Sequence, residues 1–180
     1  FTAFAAGNEA KIIGDKEYAT LAEAIVEAKK DENKGCTIEL LKNVTGPGFI
    51  AEGGNEFTID FKGFTYTIDE LVGSTGTETN GMQLKNGSKV TLKNGTIESD
   101  NAKILIQKYN ELIIEDMDLI GGANCQYVIS NNNGTTTITG DTNITASEGG
   151  VAFDVFYWPK NGYSDVEVIF DDDMTGSVKG

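Results

Sequence analysis

The sequence predicts an all-β fold, a solenoid of stacked coils with one amphipathic helix laid across its N-terminal end. Three observations predict it. The only sustained helical periodicity lies in residues 20–30, "TLAEAIVEAKK". From Cys36 onward, short alternating segments recur. Gly is abundant (22 residues) and Pro scarce (2), and Asn-Gly pairs punctuate the chain as turns between short strands. The 180 residues suit one domain with a real core.

Residues 1–9 read as a flexible N-terminal segment. The small apolar run Ala3-Phe4-Ala5 resembles the end of a secretory signal. It fits a trimmed exported protein or a plain terminus equally. Residues 10–35 read as the cap. A strand over Ala10–Ile13 leads through a Gly14-Asp15 turn to the helix. Thr20 is a good N-cap, and Glu23 three residues later makes a capping box. Leu21, Ala24, Ile25 and Ala28 fall on one stripe. Lys29 and Lys30 suit the negative end of the helix dipole, and Gly35 is the natural stop. A stack of coils exposes apolar side chains and strand edges at its first turn, and such a stripe covers them.

Residues 36–180 read as coils. In "CTIELLKNVTG", Ile38 and Leu40 face one way, Thr37 and Glu39 the other. Later segments share a pattern of an apolar residue, a turn residue two positions on, then a second apolar residue. The sets are Phe61, Gly63, Tyr66; Leu92, Asn94, Ile97; Ile114, Asp116, Leu119; and Ile138, Gly140, Ile144. Val168 and Met174 continue the apolar pair, with Phe170 in the turn slot. Spacings of 31, 22, 24 and 30 residues between first members indicate one structural unit per coil. A tight bend favours a left-handed backbone, which Gly adopts freely and Asn or Asp better than most. Residues 70–81 and 157–165 are the expected inserted loops.

The segment "IGDKEYATLAEAIVEAKKDENKGCTIELLKNVT" resembles the N-terminal cap of right-handed parallel β-helix proteins of the pectate-lyase-like group, in particular exported surface proteins of gut Firmicutes. Gly14, Asp15, Tyr18, Thr20, Leu21, Glu23, Ala24, Ile25, Thr37, Ile38 and Leu40 carry the likeness. It implies a right-handed parallel β-helix at the surface of, or secreted by, a Gram-positive bacterium. Enzymes of that group generally use Arg or His in their sites, and this chain has neither.

Composition excludes some functions. All 14 basic residues are Lys, and the net charge is −14. No basic footprint exists for nucleic acid. No stretch is long and apolar enough for a membrane span. Two cysteines, Cys36 and Cys125, are expected as free buried thiols. Five Asn-x-Ser/Thr sequons, at Asn43, Asn86, Asn94, Asn133 and Asn143, fit chance in a strand-turn repeat rich in Asn and Thr.

Three sets of side chains are candidates for chemistry. In "AFDVFYWPKNGY", residues 152–163, a strand places Phe153, Val155 and Tyr157 on one face and Asp154, Phe156 and Trp158 on the other. Phe156, Tyr157, Trp158 and Tyr163 are then candidates for holding a polysaccharide or host glycan, the alternative being rings packed under a long loop. Asp171, Asp172 and Asp173 are candidate oxygen ligands for Ca²⁺, or simply a charged turn. Asp116 and Asp118, near Glu98 and Asp100, form a possible carboxylate pair for glycoside cleavage or a solvated face; no catalytic residue is assigned. The expected function is a non-catalytic surface or secreted module for adhesion or glycan binding. A structural stalk segment of a larger surface protein is the alternative, and a polysaccharide-cleaving enzyme the third reading. Oligomeric state is open.

Overall fold

The computed structural model describes residues 7–160 and 162–180. The signal-like Ala3-Phe4-Ala5 lies outside them. In chain order the first elements are strands β1 (Ala10–Ile12) and β2 (Glu17–Tyr18), helix α1 (Leu21–Ala28), then β3 (Cys36–Leu40), β4 (Val44–Pro47), β5 (Phe49–Ala51), β6 (Glu56–Asp60), β7 (Thr65–Glu70) and β8 (Val72–Ser74). After them come β9 (Thr77–Leu84), β10 (Lys89–Ser99), β11 (Ile104–Lys108), β12 (Glu111–Gly121), β13 (Tyr127–Asn131), β14 (Gly134–Thr139), β15 (Asn143–Thr145), β16 (Val151–Val155), β17 (Val166–Phe170) and β18 (Ser177–Lys179).

These strands make an all-β chain with two parallel sheets. The larger runs β17-β14-β12-β10-β6-β3-β1-β2, with β4, β7, β15 and β18 joined alongside. The smaller runs β16-β13-β11-β9-β5. Among the described residues, antiparallel pairing is confined to β1 with β2 and β3, and to the β8–β9 hairpin. Its paired residues, Val72 to Ser74 with Thr77 to Asn80, fall in the segment expected as a loop at 70–81, and β9 runs on to Leu84.

Alternation sets the core. In β3, Ile38 and Leu40 are buried while Thr37 and Glu39 are partly exposed, as period-2 spacing requires. In-register ladders then stack like on like. Val90 lies opposite Leu112, Leu92 opposite Ile114, and Ile97 opposite Leu119; Ile114 and Leu119 meet Ile138 and Ile144 in turn. All of these are essentially inaccessible to solvent. Met82, Ile106, Ile129 and Phe153 form the facing column of the smaller sheet.

The bends follow the expected chemistry. Gly63, Asn94, Asp116 and Gly140 all have positive φ, from +52° at Asp116 to +85° at Gly63. The Asn94 and Asp116 side chains also tie neighbouring coils: the Asn94 amide donates to the Asp60 carboxylate, and the Asp116 carboxylate accepts from the Asp141 N–H.

Register departs from the sequence reading at two places. Ile59, not Phe61, lies opposite Leu92, and Phe61 sits in the bend beside Gly95. Phe170, not Val168, lies opposite Ile138, while Val168 meets Thr136. In both cases two apolar residues two positions apart share a face, so alternation alone does not choose between them.

Helix α1 is shorter than the 20–30 span. Thr20 caps it, its hydroxyl accepting the Glu23 N–H at 3.2 Å, and the Glu9 carboxylate accepts the Leu21 N–H at 2.9 Å. Leu21, Ala24, Ile25 and Ala28 are buried, and α1 packs against β1 to β4. Gly35 does not stop the helix. A 3₁₀ turn at Asp31–Asn33 intervenes, and Gly35, with φ +82°, turns the chain into β3.

Candidate functional site

The smaller sheet places a polar ladder behind its apolar column. Because side chains alternate, Gln83, Gln107, Ser130 and Asp154 point away from Met82, Ile106, Ile129 and Phe153. Two segments rise over this face. One is the β8–β9 hairpin. The other is the stretch after β16, which leaves the sheet at Val155.

Backbone bonds fix that second segment. The Phe156 N–H donates to the Asn131 carbonyl at 2.9 Å and the Trp158 N–H to Asn132 at 3.2 Å. Farther along, the Asn86 side chain donates to the Gly162 carbonyl, and the Ser164 N–H donates to the Asn133 side chain. This path explains a departure from the sequence reading. The strand stops at Val155, so alternation ends there, and Tyr157, which alternation would place on the Phe153 face, is exposed along with Val155, Phe156 and Trp158.

Between the two segments lies an open cleft of about 590 Å³. Trp158, Tyr109 and Tyr163 supply rings; Glu52, Gln83 and Lys85 supply polar groups. Tyr109 and Tyr163 pack with centroids 5.5 Å apart, and Lys160 lies over the Tyr163 ring at 5.7 Å. Burial pushes the Tyr109 phenol above its ordinary range, so it stays a neutral hydroxyl. Lys85 pairs with Glu52 at 2.8 Å, presenting donor and acceptor side by side. Exposed as it is, the pair adds little stability.

Of the four sequence-named aromatics, Trp158 and Tyr163 line the cleft. Phe156 lies behind Trp158, with ring centroids 6.2 Å apart, and Tyr157 is exposed outside it. Tyr109, Gln83, Lys85 and Glu52 were not anticipated. Nothing in their local sequence marks them; only the in-register stacking of β5, β9 and β11 gathers them. The available signal was the near-constant interval separating Met82, Ile106, Ile129 and Phe153.

The acidic candidates are engaged in local bonds. Asp173 accepts the Thr139 hydroxyl at 2.6 Å and the Gly140 N–H at 3.4 Å, which holds its carboxyl below the usual range. Asp171 accepts the Asp172 N–H. Among the described residues, no three acidic or thiol side chains gather to hold a metal ion. Asp116 and Asp118 share a groove of about 420 Å³ with Asp141 and Asn143, while Glu98 and Asp100 lie outside it. Asp118 accepts the Asn143 amide at 3.0 Å, and Glu98 accepts the Thr67 hydroxyl.

One charged group lies inside. Lys108 occupies a core position between Leu84 and Asn131 in the smaller sheet, is 0% exposed, and donates to the Asn133 carbonyl at 2.8 Å. Both thiols are free, Cys125 buried and Cys36 half-buried. Among the described residues, no helix is long and apolar enough to cross a membrane. No protein-family model, curated protein or solved structure matches the chain.

Proposed function

We propose that this chain is a right-handed parallel β-helix closed by α1, and that it is a non-catalytic, secreted or cell-surface module that binds glycans. The parallel in-register ladders, the left-handed bends at Gly63, Asn94, Asp116 and Gly140, and the buried stripe of α1 support the fold. The likeness of the segment from Ile13 to Thr45 to exported surface proteins of the pectate-lyase-like group supports the location.

One observation carries the binding reading: the open cleft in which Trp158, Tyr109 and Tyr163 stand beside amide, Lys and Glu groups. Sugars present apolar C–H faces edged by hydroxyls. Flat rings take the faces, and fixed donors and acceptors take the edges. The test is a glycan array with the purified chain, with and without Ca²⁺. A reproducible hit that weakens at least about tenfold in Trp158→Ala, the scale of a lost aromatic anchor, supports the reading. A blank array refutes it. Loss of the hit on chelation would bring Asp171, Asp172 and Asp173 into the site.

A stalk role is the second reading. It is favoured by the exposure of Val151, Ile169, Phe170 and Val178 on the last strands, where a further part of a larger surface protein would cover them.

A further inference from the structure

We infer that the cleft takes an uncharged oligosaccharide spanning two adjoining subsites, an inference that rests on the glycan-binding reading above. A second cavity of about 200 Å³ continues from the first along the same face of the smaller sheet. The two share Ser74, Gln83 and Tyr109, so one chain of linked rings can occupy both.

The second cavity has a different character. Its remaining walls are Thr77, Thr79, Asn80, Ile104 and Gln107, and among the described residues no Asp, Glu or Lys lines it. Three amides meet at its floor. The Asn80 and Gln83 side-chain N–H groups both donate to the Gln107 oxygen, at 3.0 Å and 2.9 Å. The Asn80 and Gln83 oxygens are buried and have no partner among the described residues. A buried acceptor without a donor is costly, and a turn of either amide toward ligand hydroxyls on this floor supplies the donor.

The same floor selects against acids. A carboxylate has only acceptors to offer, and here it would face the carbonyl oxygens of Asn80 and Gln83. A hydroxyl both donates and accepts, so it satisfies the amides in either orientation. In the first cavity Lys85 is already paired with Glu52, and Lys160 lies over a ring. A net charge of −14 repels polyanions before they arrive. The aromatic subsite therefore holds a sugar face, and the amide subsite reads the hydroxyls of the next unit.

The experiment is calorimetric titration of the full chain with neutral β-glucan, xylan and mannan oligosaccharides, each from monomer to hexamer, and with oligogalacturonates as the charged counterparts. Affinity is expected to rise about tenfold as a neutral ligand lengthens from one unit to three, the worth of one or two added hydrogen bonds. Thr79→Val and Gln107→Ala, each confirmed folded by circular dichroism, should abolish that gain. Affinity independent of length, tighter binding of the oligogalacturonates, or a length gain unchanged in both variants would overturn the inference and leave glycan binding standing. Absence of binding to every glycan would overturn both.

Discussion

Replacing Lys108 with Met should stabilise this protein at neutral pH and erase part of its pH dependence. The ammonium is fully enclosed, and burial pushes its pKa from 10.5 down to about 7. Nearby Glu111 opposes that shift only in part. The unfolded chain therefore holds this proton up to its ordinary pKa, and the folded chain releases it near neutrality. A depressed Lys pKa costs stability wherever the unfolded state binds the extra proton, so stability rises with pH between about 7 and about 10.5 and is flat below. The slope is about 1.4 kcal/mol per pH unit within that window, or about 2 kcal/mol from pH 7 to pH 9 after allowing for half-protonation at pH 7. At pH 7 the accumulated cost is about 4 kcal/mol. Met keeps the apolar stem but leaves the Asn133 carbonyl without this donor, a loss of about 1 to 2 kcal/mol. The net expectation is a variant more stable by about 2 kcal/mol at pH 7, the difference vanishing or reversing by about pH 10. Urea unfolding followed by far-ultraviolet circular dichroism at pH 7, 8 and 9 measures it, because all other titrating groups cancel between the two proteins. Parallel curves for wild type and variant would refute the reasoning, since they would mean that Lys108 keeps its charge in the fold at no cost.

The remaining predictions concern packing and chemistry at single positions. Gly95→Ala drives a methyl into Phe61 and to 2.6 Å from the Phe64 carbonyl, and should cost about 3 kcal/mol in the same assay. Gly46→Ala, whose added methyl meets nothing within 4 Å, should fall within about 0.5 kcal/mol of wild type. Thr20→Ala removes the acceptor for the Glu23 N–H and should cost about 1 kcal/mol. For the thiols, burial raises the pKa of both, so native protein should react slowly with Ellman's reagent at Cys36 and not at Cys125. Peptide mapping checks the order, and equal labelling at both positions would contradict the burial of Cys125.

The larger sheet was legible because its inward positions are apolar and its bends are marked. Ile38 and Leu40, and the sets around Asn94, Asp116 and Gly140, announce both alternation and turn. Register at Phe61 and Phe170 was not, since Ile59 and Val168 are equally apolar and share their faces. The smaller sheet was hardly visible. Its core-side column passes from Leu84 through Lys108 to Asn131, so alternation breaks where polar groups turn inward. A Lys in a strand pattern reads as solvent-facing, and only the paired ladder reveals otherwise. The cleft suffered the same fate. Trp158 and Tyr163 stand out in any composition scan, while Tyr109 and Gln83 acquire meaning only from their neighbours on other strands.

The two ends of the sheets are unlike, and this has a consequence for assembly. At one end the larger sheet finishes on the two-residue strand β2, reached through antiparallel β1, and the smaller sheet on three-residue β5. At the other, β16 and β17 each present five residues with one side unpaired. A strand of two or three residues offers too few backbone groups to template another. Among the described residues, the two longest unpaired end strands therefore lie at the same end of the stack. A strand that paired along β16 and β17 would continue both sheets in register, whereas one arriving at β2 or β5 would find only two or three residues to pair with.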